Sequence, residues 1–153
     1  MADVFDVAQY ILQKSAPMTA MKLQKLVYYS QVWSLVWDEK PLFSEKIEAW
    51  ANGPVVRELF DLHKGQFLVS NITKGSVENL AKEEKETIDA VLNYYGNKNA
   101  QWLCDLSHME SPWIEARKGI PDGVNSEREI TLAMMHEYYC SLKHKVVVTD
   151  AQT

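Results

Sequence analysis

The sequence predicts a mainly α-helical chain, one compact domain over residues 1–145 with about six helices and at most a short two-stranded sheet, followed by a flexible C-terminal tail over 146–153. Three observations carry that reading. Apolar residues recur at spacings of three and four through most of the chain, which is the signature of helices with one buried face. Alternation with a period of two is confined to two brief stretches. The 153 residues are 46% apolar and 24% charged, the balance of a single domain large enough to bury its own core.

The elements follow in order. Asp3 to Lys14 sets Val4, Val7, Ala8, Ile11 and Leu12 on one helical face and must end before Pro17. Thr19 then offers an N-cap for a helix through Trp37, in which Leu23, Leu26, Val27, Trp33 and Trp37 mark one side and Tyr28, Val32, Leu35 and Val36 cover much of the rest. A helix apolar nearly all round belongs at the centre of a fold. Its polar remainder, Gln24 and Gln31, lies on one narrow stripe. Asp38-Glu39-Lys40-Pro41 breaks the helix, and Leu42 to Trp50 reads as an extended segment or short strand. Asn52-Gly53-Pro54 supplies a turn with Pro54 at the first position of a helix running to Gly65. Phe67 to Ile72 could form a second brief strand, and Gly75, Ser76 and Asn79 mark a loop. Lys82 opens a helix with Glu83 and Glu84 near its positive end and Gly96 as its stop. Asn99 to His108 and Pro112 to Lys118 read as two further helices with a loop from Gly119 to Asn125. Ser126-Glu127-Arg128-Glu129 has the pattern of a capping box, after which Leu132, Met135, Tyr139 and Leu142 form the stripe of the last helix.

Charge and composition narrow the function. Twenty-one acidic residues against sixteen basic ones give a net charge of -5, which disfavours a phosphate backbone as the main ligand. The Lys143-His144-Lys145 cluster is too short for a nucleic-acid footprint and reads as a solvated helix end. Cys104 and Cys140 are too few for a disulfide scaffold, the N-terminus is acidic where a signal peptide would be basic, and the longest apolar stretch, Leu26 to Trp37, is interrupted by Ser30, Gln31 and Ser34. A reducing cytoplasm is the expected compartment.

Two chemical constellations stand open on residue type and spacing. Cys104 with His108 and His136 with Cys140 are both i, i+4 couples, and His144 extends the second stripe, so four soft and imidazole donors could gather a zinc ion. The same Cys104 and His108, with Asp105 beside them, could form a thiol nucleophile and its base. Against both, no C-x-x-C or phosphate-cradling glycine loop is present, and cysteines are commonly buried for packing alone. The expectation is therefore no catalytic residue, no cofactor and no metal. Trp50 and Trp113 differ from the other aromatics because each adjoins chain-punctuating residues, Asn52-Gly53-Pro54 and Ser111-Pro112, where turns present side chains at a surface.

Three stretches together resemble a known family. They are Met21-Lys22-Leu23-Gln24-Lys25-Leu26-Val27-Tyr28-Tyr29, Ile47-Glu48-Ala49-Trp50-Ala51-Asn52-Gly53-Pro54-Val55-Val56, and Leu106-Ser107-His108-Met109-Glu110-Ser111-Pro112-Trp113. In order and separation they look like the signature segments of the Panacea antitoxin domain, also called SocA-like or GepA-like, over nearly the whole chain. The resemblance implies a helical, non-catalytic antitoxin of a bacterial or prophage toxin–antitoxin pair. Such a protein neutralises its cognate toxin, prominently a translation inhibitor, by direct binding. It also implies alternatives: an adaptor that delivers a toxin to a protease, or, from the residues rather than the family, a small Cys/His enzyme. Many members carry an added DNA-binding domain, for which this length leaves no room, so direct nucleic-acid binding is not expected, nor is a membrane. The expected toxin contacts are Tyr28, Trp50, Arg57, His108 and Trp113, chosen as aromatic or forked polar groups in or near the motifs. Lys22, Leu23, Leu26, Gly53, Pro54, Val55 and Pro112 are expected to hold the shared fold.

Overall fold

The computed structural model describes residues 2–15 and 17–152, with side-chain surroundings given through Lys143. Its helices are α1 (Val4–Lys14), α2 (Ala20–Trp37), α3 (Arg57–His63), α4 (Lys82–Tyr95), α5 (Ala100–His108), α6 (Ser111–Ala116) and α7 (Leu132–Gln152). Its strands are β1 (Met18–Thr19), β2 (Ile47–Trp50), β3 (Gly53–Val56), β4 (Leu68–Val69) and β5 (Glu129–Ile130), and a single 3-10 turn spans Val77–Asn79. The chain is 57% helical, so the mainly-α class holds, with seven helices among the described residues and slightly more sheet than the sequence suggested.

α2 is the axis of the molecule. α1, α4, α5, α7 and β3 all pack on it, and Leu23, Leu26, Val27, Tyr29 and Val32 are fully buried. Each such side chain contributes on the order of 1.5–3 kcal/mol of apolar burial, which is why a sequence apolar on every side ends up in the middle. Thr19 caps the helix as expected, its hydroxyl accepting from the Lys22 amide at 3.2 Å.

The two glutamines of the narrow stripe are buried, and each grips an extended segment. Gln31 accepts from the Leu42 amide at 2.7 Å and donates to the Phe43 carbonyl at 2.8 Å. Gln24 accepts from the Val56 amide at 2.9 Å and donates to the Val56 carbonyl at 3.2 Å. Both satisfy backbone groups that would otherwise be stranded in the core.

Two local readings are corrected. Pro54 does not open a helix. It lies in β3, which pairs antiparallel with β2 in a hairpin closed at Trp50 and Gly53, and α3 begins only at Arg57. The missing proline N–H costs nothing there, because its partner Ala49 donates outward to the Arg128 carbonyl at 2.8 Å rather than to Pro54. Second, Ser126-Glu127-Arg128-Glu129 is not a capping box. Glu129 and Ile130 form β5 against Glu48 and Ile47, burying Ile130, and Thr131 accepts from the Met134 amide at the start of α7 instead. The last helix, α7, extends to Gln152, and the side chains of 144–153 lie outside the described residues. The sheet orders are β3-β2-β5 and β1-β4, both antiparallel.

Candidate protein-binding site

The β2–β3 hairpin brings four of the five expected contact residues into one corner. Gly53 makes the turn possible: its φ of +118° suits glycine alone, and an added Cβ would sit 2.5 Å from Lys25 Cε. Trp50, at the end of β2, is half-buried, with its indole N–H donating to Glu48 at 2.8 Å and its ring meeting Phe60 edge-on at 4.9 Å. Arg57, exposed at the start of α3, lies 5.9 Å from the Trp50 ring and bonds Glu127 at 2.5 Å, with Glu48 at 3.7 Å. Trp113 of α6 donates its indole N–H to the Trp50 carbonyl at 2.8 Å and stacks on His108 at 4.1 Å, with interplanar angle 20°. A hollow of about 300 Å³ opens beside Trp50 and Arg57, walled by Asn125, Ser126 and Glu127.

Tyr28 does not belong with them. It is 1% exposed, and its hydroxyl meets that of Tyr139 at 3.1 Å deep in the core. There Glu110 accepts from Tyr29 at 2.6 Å and from Tyr139 at 2.7 Å. Burial pushes the Glu110 carboxyl above its ordinary range, and the two phenols pull it partly back. A fully buried phenol has no surface to offer a partner, so Tyr28 is withdrawn as a contact.

The motif residues expected to be structural sit in packed places. Leu23 and Leu26 are fully buried, Val55 and Pro112 are buried, and Gly53 and Pro54 form the hairpin. Lys22 donates to the Gly96 carbonyl at 2.7 Å, where a cation complements the negative end of α4.

Sequence reasoning missed the cations beneath the corner. Lys25 is 1% exposed and donates to the Pro54 carbonyl at 3.1 Å, and burial lowers its ammonium to about 8 while the Cys104 thiol acts in the other direction. Arg117 is buried and reaches three backbone carbonyls, Ala49 at 3.0 Å, Pro121 at 3.1 Å and Val124 at 2.6 Å, with its guanidinium 5.2 Å from the Trp113 ring. Burial lowers the His108 imidazole, and Lys25 and Arg117 lower it further against the opposing pull of Asp105 and Asp122. The available signal was position: Lys25 falls within the apolar run of α2, and Arg117 lies one turn after Trp113.

Cys104 is 3% exposed, and burial pushes its thiol up more than Lys25 pulls it down, the reverse of an activated nucleophile. Among the described residues, no three His, Cys, Asp or Glu side chains gather where they could hold a metal ion. Nor is any described helix long and apolar enough to cross a membrane.

A second aromatic surface lies elsewhere, where Trp33, Trp37, Tyr94, Tyr95, Leu142 and Lys143 line a groove of about 430 Å³. The sequence placed Trp37 in the core, yet it is 43% exposed and Tyr94 is 66% exposed. From Lys25 to Trp37 along α2 is about 18 Å at about 1.5 Å per residue, so groove and corner are separate.

No curated protein and no solved structure matches the chain. One family model does: that described as Antitoxin SocA-like, Panacea domain, over residues 23–114, a span containing Trp50, Arg57, His108 and Trp113.

Proposed function

The chain belongs to the SocA-like Panacea antitoxin family, and from that premise we propose that it neutralises a cognate protein toxin, a translation inhibitor, by binding it directly and covering its substrate site. The family match carries this reading, and the corner gives it a place. Trp50, Arg57, His108 and Trp113 form a surface of aromatic and polar groups gathered around the β2–β3 hairpin from β2, α3, α5 and α6, the composition in which binding hot spots are enriched. The net charge of -5 suits a basic toxin surface that would otherwise hold RNA, speeding encounter and adding selectivity more than affinity. The work is done in the cytoplasm, by one domain over residues 1–145, without cofactor or catalysis.

The test is binding of the purified product of the adjoining reading frame, as candidate toxin, to wild type and to Arg57→Ala, Trp50→Ala and Trp37→Ala. Loss at Arg57 and Trp50 with thermal stability retained places the toxin on the corner. Loss at Trp37 alone moves the contact to the aromatic groove. The adaptor alternative is favoured by one observation, the presence of that second exposed surface. It predicts rescue from the toxin only in a host whose protease is intact.

A further inference from the structure

His63 is buried at 3% exposure at the end of α3, and its Nε2 lies 2.9 Å from Nε2 of Gln24. The direction of that bond is fixed by its neighbours. The Val56 amide needs an acceptor, so Gln24 Oε1 must face it, and Gln24 Nε2 is then the donor both to the Val56 carbonyl and to His63. His63 Nε2 therefore accepts, and the ring proton sits on Nδ1, consistent with a bond from His63 to its own backbone. A proton on Nε2 would point at an amide that has no lone pair to give. Turning the Gln24 amide over would set oxygen against the Val56 carbonyl and nitrogen against the Val56 amide, breaking both bonds.

Val56 ends β3 and precedes Arg57, so the same glutamine that reads the protonation of His63 holds the strand that carries the corner. We infer that the Gln24–His63 pair is an acid-sensitive latch on the hairpin: a proton on His63 Nε2 releases Gln24 from Val56 and loosens the Trp50–Arg57 surface. Burial lowers the His63 imidazole, and the latch is thus silent at neutral pH and opens as pH falls below the ordinary histidine value of 6.5. The charged side chains on the elements around it are Arg57, Glu58, Asp61 and Lys64 on or beside α3 and Lys22 and Lys25 on α2, and β3 carries none. None of them figures among the causes of the shift, which are burial and the bond to its own backbone. Lys22 and Lys25 point their ammonium groups at Gly96 and Pro54 instead.

The latch itself does not depend on the proposed function; only its effect on toxin binding rests on that reading. The test follows the ring nitrogens of His63, the Val56 amide and the Trp50 indole by nuclear magnetic resonance in the intact protein from pH 7.5 to 5.5, in wild type and in His63→Gln. Glutamine places a non-titrating acceptor where Nε2 stood and leaves His108 as an internal control. The expected result is a neutral Nδ1–H ring at pH 7.5 and a Val56 signal that moves with His63 protonation in wild type and stays still in His63→Gln. An Nε2–H ring, or a Val56 signal that moves equally in the variant, overturns the latch. Toxin affinity is then expected to fall about tenfold across the range in wild type and to hold in His63→Gln. A latch that opens with affinity unchanged overturns the corner as the toxin's surface, and the two failures are thereby told apart.

Discussion

Trp50, Arg57, His108 and Trp113, which turns and motif neighbours mark in the sequence, lie in one contact chain from Arg57 to His108. Tyr28 was misread because a phenol on the central helix looks the same in sequence whether its hydroxyl reaches water or Tyr139. Lys25 and Arg117 were passed over for the opposite reason. Basic side chains are ordinarily solvated, and only the fold reveals backbone carbonyls converging on them. Gly53 gives the sharpest test at this scale. Alanine there meets both a φ of +118° and Lys25 Cε at 2.5 Å, so Gly53→Ala should cost about 1–3 kcal/mol in chemical denaturation, while Gly123→Ala, with open space around it, should cost less.

Helix boundaries were read well wherever a cap made them. Asp3, Thr19, Asn99 and Gly96 stand where the sequence put helix ends, and the Asp3 and Asp6 side chains complete a capping box at the start of α1. The failures fall where one local pattern fits two structures. Asn-Gly-Pro serves a hairpin as well as a helix start, and Ser-x-x-Glu became a strand because burying Ile130 against Ile47 requires an extended chain. The hairpin's partner strand lies just across the turn, whereas Ile130 pairs with Ile47, far away in the sequence. The glutamine stripe was visible, but not its task. Gln31→Leu should leave the Leu42 amide and the Phe43 carbonyl stranded and destabilise by about 3 kcal/mol, at about 1–3 for each buried group. Gln24→Leu should cost a similar amount and in addition disorder the Trp50 signal, whereas Gln31→Leu leaves that signal unchanged.

Over the whole molecule, the buried titratable groups set the response to pH. His63 and His108 are lowered in the folded chain, so as pH falls below about 6.5 the unfolded chain takes up protons that the folded one refuses, and stability drops. Glu110 acts with the opposite sign. Its carboxyl is raised, so the folded state binds its proton first and gains stability as pH falls from that raised value towards 4.5. At the basic end Lys25, lowered to about 8, is protonated in the unfolded chain and neutral in the folded one up to 10.5, so stability from this group rises with pH across that window. Denaturation midpoints should therefore decline from pH 7.5 to 6, with the decline reduced in His63→Gln. A flat profile would mean that His63 and His108 titrate as they do in water. The most direct test of the central claim is the affinity of the cognate toxin for wild type and for Arg57→Ala, whose exposed side chain can be removed without opening the core. A stable wild-type complex that weakens at least tenfold on that substitution, with the melting midpoint unchanged, is the predicted result; a toxin that binds both proteins equally, or neither, contradicts it.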